Sequence, residues 1–562
     1  MNTRLLSRRF GCWLLVALVL LGSVFSPAPK VAPAQSPAEF STQKLEASPV
    51  EQLLQQGARL EQQRRWTDAV VHYEKALRRF PNNIHLKARF QIARKHYDLN
   101  RRYHDLSFLR ALRTLGREEV YRLLDEVLLK LQAHYVEPPH WRRLLQQGTA
   151  ALEIALEEPL FVKQHLRHTT AEQRAQFRRR LRQQLASVPV RTRGELTQAV
   201  AQAAALAARQ LQLRSVPVVL EYVCGMTGSL DHYTSYLTQS ELEDVYAQID
   251  GNFVGLGVEI KTLETGLLIL RVIPGSPAQQ AGLRPGDLIV RIDDKPITPQ
   301  NKDDAPNLLQ GPPGSVVELL VTHQQRGMRR LRVTRRHVEV PSVEEVKMLD
   351  PQSGVAYFRL AAFQKTTSQE MDTALWKLHR AGMRYLIIDL RGNPGGLLTA
   401  AVEAVDKFID RGIIVSTKGR NPGEDFTYRA HATGTWRVPL VVLIDQDSAS
   451  ASEIFAGAIR DHRRGTLVGT RSYGKGSVQG IFPLSIGGMG LRLTTARFYS
   501  PAGRPFSLVG VEPHVKVHQV ARPVELKQLP GLHAPGQNDP VLQAALDVAR
   551  RQLAAGPTRR SR

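Results

Sequence analysis

The sequence predicts a multidomain α+β protein with a helical amino-terminal region, a small β-rich module and an α/β core. Three observations carry this reading. From Val50 to about residue 238, apolar residues recur at helical spacing. Near residue 240 the pattern changes to short β-type runs, GLGVEI, LLILRVI and DLIVRI, separated by turn signals. After residue 338, strand-like and helix-like segments alternate, the rhythm of an α/β sheet.

The chain has 562 residues, of which 42% are hydrophobic and 23% charged, enough for several packed cores. Its net charge is +24, which suits anionic surroundings such as lipid headgroups, envelope polymers or acidic proteins. No zinc-type Cys/His spacing and no aromatic-glycine RNA motif occurs, so nucleic acid is not an expected partner.

The amino terminus points to export. MNTRLLSRR is basic, and Phe10 to Phe25 is an uncharged apolar run of 16 residues. That is short of the roughly 20 that span a bilayer. Ala32-Pro33-Ala34 is a small-x-small cleavage candidate before Gln35. Residues 1–34 therefore read as a signal peptide or a retained anchor, and 35–47 as a linker. The expected location is periplasmic or cell-envelope, with a membrane anchor if the segment is kept. The two cysteines are Cys12 and Cys224. Removal of the first leaves no internal disulfide, and Cys224 reads as a buried apolar residue.

Within 48–103, Gly57, Ala69, Tyr73, Ala76 and Pro81 fall at the offsets of one tetratricopeptide-like repeat. Its helices are expected over 50–63 and 67–79, with a fragmentary second copy after Leu86. Such a hairpin can dock an adaptor protein or simply pack on its neighbour. Residues 104–238 form a further helical region. The basic stripe QRAQFRRRLRQQL (173–185) can touch a membrane surface, although a solvated helix face is the more ordinary role.

In the core, RYLIIDL (384–390) is a buried strand running into RGNPGG, and LLTAAVEAVDKFID (397–410) is a helix. PLVVLID (439–445) is another strand, and SASASEIFAGAIR (448–460) opens another helix. Downstream, GTRSYGKGSVQ places Lys475 between two glycines, and three lysine motifs compete for it. A phosphate loop needs Ser or Thr after the lysine and a helix beyond; Gly476 and a β-like run stand there instead. The pattern S-x-x-K, Ser472 to Lys475, needs one helical turn, which flanking glycines disfavour. The third reading pairs Lys475 with a serine at the helix start in DSASASEI, where backbone N–H groups can hold an oxyanion. Ser450-x-x-Glu453 is also a capping box, so the same serine has an ordinary structural role open to it.

SASASEIFAGAIRDHRRGTLVGTRSYGKGSVQ resembles the signature of the carboxyl-terminal processing peptidases, tail-specific Ser/Lys proteases. LDHYTSYLTQSEL (230–242) resembles the lead-in to that family's PDZ domain, and NFVGLGVEI with PGSPAQQAGLRPGDLIVRIDD resembles the domain itself. LIIDLRGNPGGLL and LRLTTARFYSPAGRPF resemble its core strands. The resemblance spans about Leu230 to Val517. It implies a PDZ domain over 239–337, a ClpP/crotonase-like protease core over 338–520, and a carboxyl-terminal tail over 521–562.

By position, the resemblance makes Ser450 the nucleophile, Lys475 its general base and Gln479 the residue that positions the lysine. The oxyanion hole would use the N–H groups of Ala451 and of Gly396 or Gly395. Gly255, Leu256, Gly257 and Val258 would form the loop that receives a peptide carboxylate. A lysine serving as base must have its pKa lowered, and burial among Ile481, Phe482 and the Val441–Ile444 strand is the expected cause. Gln310 stands where relatives often have an arginine, and His514 where they have an aspartate. The implied partners are proteins with exposed apolar carboxyl termini, and no metal or organic cofactor is implied. The rival readings are an inactive or regulatory tetratricopeptide/PDZ scaffold and a crotonase-type acyl-CoA enzyme.

Overall fold

The computed structural model describes residues 48–299, 301–302, 305–323, 325–517 and 539–554. The apolar segment 10–25 and the linker 35–47 lie outside the described residues. Among the described residues, no helix is long and apolar enough to cross a membrane.

Helices Pro49–Gln62 and Trp66–Arg79 form a hairpin, each beginning one residue earlier than the spacing predicts. Gly57 permits the close crossing: a Cβ there would lie 2.2 Å from the Tyr73 ring. In place of a clear second repeat, the long helix Ile84–His104 follows. It fixes the hairpin to the helical region through Arg102–Glu221 (2.8 Å) and Lys95–Gln147 (2.7 Å).

The helical region runs from Leu106–Thr114 to the almost wholly buried Ser215–Thr227. Its core is continuous with Leu491 and Leu493 of a second sheet and with Leu484 and Met489 in the turn before that strand. In that sheet Gly490–Tyr499 pairs antiparallel with Ser235–Leu237, Ile413–Gly419 and Ser477–Pro483. The helix Gln239–Asp250 then leads into the β-rich module, whose sheet begins at the edge strand Val258–Leu263.

The α/β core has six strands in the order Val343–Asp350, Val355–Leu360, Tyr385–Asp389, Leu440–Ile444, Thr466–Gly469 and Val515–Lys516. All pairs but the first are parallel. Alternating side chains divide between two faces, as the strand period requires. Ala356, Phe358 and Leu360 pack under helices Thr367–Arg380, Leu398–Asp406 and Ala451–Asp461. Val355 and Tyr357 face the other way.

That second face is covered by a helix where the sequence predicts only a tail over 521–562. Pro540–Ala554 lays Val541, Leu542, Ala545 and Ala549 against Val355, Tyr385, Ile387, Val441 and Leu443. Asp539, before its first turn, accepts from Arg391, which also grips Asp389 at the end of its strand. Leu542→Ala should therefore lower the unfolding free energy by about 2–4 kcal/mol. Urea denaturation checks this, and an unchanged midpoint would mean that the helix is peripheral.

Candidate active site

The sheet fixes where chemistry can occur. Parallel strands end at one edge, and the turns after Tyr385–Asp389, Leu440–Ile444 and Thr466–Gly469 meet there. Asn393 ties the first two together. It is fully buried, its side-chain amide donates 2.7 Å to Leu360 O, and its Oδ1 accepts from Gly395 N at 2.8 Å. Its own carbonyl accepts from Ala449 N at 3.0 Å and from Ser452 Oγ at 2.9 Å.

The three serines separate by their partners. Ser448 Oγ donates 2.8 Å to Leu390 O, and Ser452 Oγ donates to Asn393 O. Both are fully buried structural groups. Ser450 is half-buried and its hydroxyl makes no cap hydrogen bond to the helix. Its backbone is held at φ 58°, ψ −113°, a conformation that costs a non-glycine residue on the order of 1–3 kcal/mol. The expected capping box is thus used from one side: Glu453 reaches back to Ser450 N (2.9 Å), while the serine hydroxyl stays unspent.

Glu453 does more than cap. It is fully buried, and its carboxylate also accepts from Ser472 Oγ (2.6 Å), Gly474 N (2.7 Å) and Lys475 N (2.8 Å). One oxygen, Oε2, holds the backbone N–H of both Ser450 and Lys475. Burial raises the Glu453 pKa, and these hydrogen bonds pull against it. By sequence alone this residue reads only as a helix cap. Its signal was the combination of a buried carboxylate position with a glycine-flanked lysine.

The Lys475 side chain is half-buried, and burial brings its pKa down from 10.5 to about 8, with help from the Arg492 guanidinium. Glu453 and Asp231 oppose the shift. Its Nζ lies over the Tyr233 ring, 4.7 Å from the centroid. Tyr233 and Arg492, rather than the expected Phe482, flank the amine; Phe482 packs instead on His134 and Lys130. Among the described residues, Lys475 Nζ has no hydrogen-bond partner.

Gln479 stands on the same strand as expected, at a register shift between Val478 and Gln479. Its amide donates to Ser477 Oγ (2.9 Å) and Ser477 O (3.2 Å), and the structure does not bring it onto Lys475.

Gly395 and Gly396 differ. Gly395 is pressed on the serine turn, where a Cβ would lie 2.8 Å from Ser450 Cβ, and its N–H is taken by Asn393. Gly396 is exposed, and its N–H has no partner among the described residues. A Cβ on Gly396 would lie 2.0 Å from Phe363 O, at φ +142°.

In the β-rich module, Gly255 ends a strand paired with Arg336–Glu339, and Val258 begins the open edge strand. Between them Leu256 O accepts from Ala278 N (2.8 Å) and Gly257 O from Ile273 N (2.9 Å). Gly257 is held at φ +83° against Ser276. Gln310 is exposed, and Arg335 caps the preceding turn through Leu308 O and Leu309 O (both 2.9 Å). His514 Nδ1 accepts from Leu467 N (2.9 Å), a sheet-edge contact. Burial pushes the Cys224 thiol up to about 12, so it is no thiolate nucleophile.

Residues 354–517 match the model of peptidase family S41, and 268–322 match that of the PDZ domain. A carboxy-terminal-processing protease of Bartonella bacilliformis is 37% identical over 304 residues, covering 52% of this chain and 68% of its own. The chain belongs to the carboxy-terminal-processing protease family. It is accordingly a serine-type endopeptidase that carries a PDZ domain. A "Probable CtpA-like serine protease" of Staphylococcus haemolyticus is 30% identical, over 52% of this chain and 58% of its own. The solved photosystem II D1 C-terminal processing protease aligns at 26% identity over 74% of this chain and 96% of its own, with a TM-score of 0.39. Neither rival reading, scaffold or acyl-CoA enzyme, is favoured by these matches.

Within this carboxy-terminal-processing protease, Glu453→Gln places an amide N–H₂ against N–H donors. The variant should lose about 2–3 kcal/mol of stability. Thermal denaturation of Glu453→Gln beside Glu453→Asp reads this, and a wild-type midpoint in the glutamine variant would remove Glu453 from the role described.

Proposed function

We propose that this protease is exported to the cell envelope and cuts proteins near exposed apolar carboxyl termini, using Ser450 as nucleophile and Lys475 as general base. The observation that supports the assignment best is the division among the three serines. Ser448 and Ser452 donate their hydroxyl hydrogen bonds to carbonyls, whereas Ser450 presents an uncommitted hydroxyl at a strained helix start.

The neutral Lys475 amine takes the Ser450 proton as Oγ attacks the scissile carbonyl, forming an acyl-enzyme and releasing the tail; water then hydrolyses the ester. Ala451 N–H, at the helix amino end, and Gly396 N–H are the oxyanion donors in this reading. Gln479 positions the amine once its side chain leaves Ser477. The PDZ loop from Gly255 to Val258 receives the substrate carboxylate, while the peptide adds to the edge strand Val258–Leu263. The tetratricopeptide-like hairpin is a docking place for an adaptor, and the basic surface favours an anionic membrane face.

Mass spectrometry of an unstructured protein with an apolar carboxyl end should show cutting by wild type. Ser450→Ala and Lys475→Ala should each lose about 10³-fold or more. Equal cutting by all three proteins would rule the dyad out.

The pH dependence follows from the sign of the lysine shift. The active form is the free amine, so a pKa lowered to about 8 brings activity into range from the alkaline side. The rate kcat/KM should rise about tenfold per pH unit below the pKa and level off above it. A profile flat from pH 6 to 9 would contradict Lys475 as the base.

A further inference from the structure

The core sheet has a second edge, opposite the one that carries the candidate active site. The parallel strands start there, at Val355, Tyr385, Leu440 and Thr466. A five-residue strand such as Tyr385–Asp389 sets the two edges about 15–20 Å apart. Between two parallel strands, the helix Thr367–Arg380 must run back along the sheet. Its carboxyl end, with Trp376 and His379, therefore lies at the starting edge. Trp436 lies there too, four residues before Leu440.

Three aromatic rings meet at this edge. Trp376 and Trp436 stand edge to face with 5.0 Å between ring centroids, and His379 packs 5.7 Å from each. Trp376 is 54% exposed, while Met371, Leu375 and Leu378 of the same helix fill the core. The packing of the helix on the sheet thus does not use this indole. Along the same edge stand Lys377, Arg380, Arg384, Arg437 and Arg463, all exposed. Among the described residues, none of these five forms an ion pair. Asp350, Asp372 and Asp461 lie on or near the edge, but each is bonded to a cation of its own: Arg550 (3.1 Å), Lys407 (2.6 Å) and Arg504. The edge therefore presents an aromatic patch within an unneutralised field of positive charge.

We propose that this edge is a docking face for an anionic lipid surface, with Trp376 and Trp436 entering the headgroup layer and the five cations lying upon it. Indole rings settle where one side is apolar and the other wet. Lysine and arginine held near an anionic leaflet add attraction that fades within a Debye length. A second copy of the chain fits less well, since a symmetric contact would set the same cations face to face. Docking here turns the opposite edge, with Ser450 and Lys475, away from the bilayer and toward substrate. The identity of the membrane rests on the export reading, which makes it one of the cell envelope.

The test uses the full chain with vesicles of phosphatidylcholine alone or mixed with phosphatidylglycerol. Deuterium exchange, read by mass spectrometry, should show segments 370–384 and 433–440 protected on the anionic vesicles only. Trp376→Ser and Arg437→Glu should each reduce that protection about five-fold or more. Both variants should keep the wild-type rate on a soluble substrate, and Arg437→Glu, at an exposed position, tests the face even if the serine variant folds poorly. A retained segment 10–25 would tether the chain to both kinds of vesicle, so dependence on anionic lipid and on these two residues isolates the face. Wild-type protection in both variants, or none on anionic vesicles, overturns the proposal. Protection that appears without vesicles and grows with protein concentration assigns the face to a second copy and overturns it too. Recovery of the full chain with cytoplasmic protein instead of envelope membranes overturns the export reading, a result independent of the vesicle measurement.

Discussion

One buried carboxylate holds the candidate active site together. Ser450 and Lys475 belong to different segments, one opening a helix and one leading into a strand. Glu453 joins them by accepting both backbone N–H groups on a single oxygen. A buried carboxylate is costly unless its lone pairs are filled, and four donors fill them here. The same contact helps hold Ser450 at positive φ, which turns its hydroxyl away from the helix it begins. Asn393 acts as a second knot, holding the glycine turn against the serine turn.

The lysine shows how placement and protonation are linked. Stacking on Tyr233 favours the ammonium, because the ring face attracts a cation. Burial and Arg492 disfavour it, and together they outweigh the carboxylates Glu453 and Asp231. A neutral amine loses the ring attraction and keeps its need for a hydrogen-bond partner. Deprotonation and departure from Tyr233 therefore favour each other, and in the proposed mechanism Ser450 Oγ and Gln479 receive the amine.

Much of this was legible in the sequence, and the residues show why. RYLIIDL and PLVVLID are continuous apolar runs, which only strands buried on both faces require, and both lie in the core sheet. The glycines at 395, 396 and 474 marked positive-φ turns where backbones crowd. The helix Pro540–Ala554 was missed because its apolar stripe is largely alanine and valine, too weak to stand out before the sheet face it covers is known. Tyr233 and Arg492 were missed as lysine neighbours because they come from segments more than 200 residues apart. The pairing of Ser235–Leu237 with Gly490–Tyr499, and the hydrogen bond from Arg492 Nε to Tyr233 O (3.1 Å), bring those two segments together. Position along the chain carries no trace of that proximity.

That same pairing explains why the amino-terminal helices are not an appendage. Gly490–Tyr499 carries Arg492, pairs with the strand of Gln479 and contributes Leu491 and Leu493 to the helical region's core. Val136 N and the Arg420 guanidinium cross between the same layers, to Thr494 O (2.9 Å) and Tyr135 O (2.8 Å). A close-packed core shared in this way does not deform by small continuous amounts; it passes strain to its neighbours. Helices built into the core that supports the lysine's surroundings have mechanical access to the chemistry, whatever first caused their addition. In the proposed mechanism that lysine is the base, so strain passed through those helices reaches the proton-transfer step.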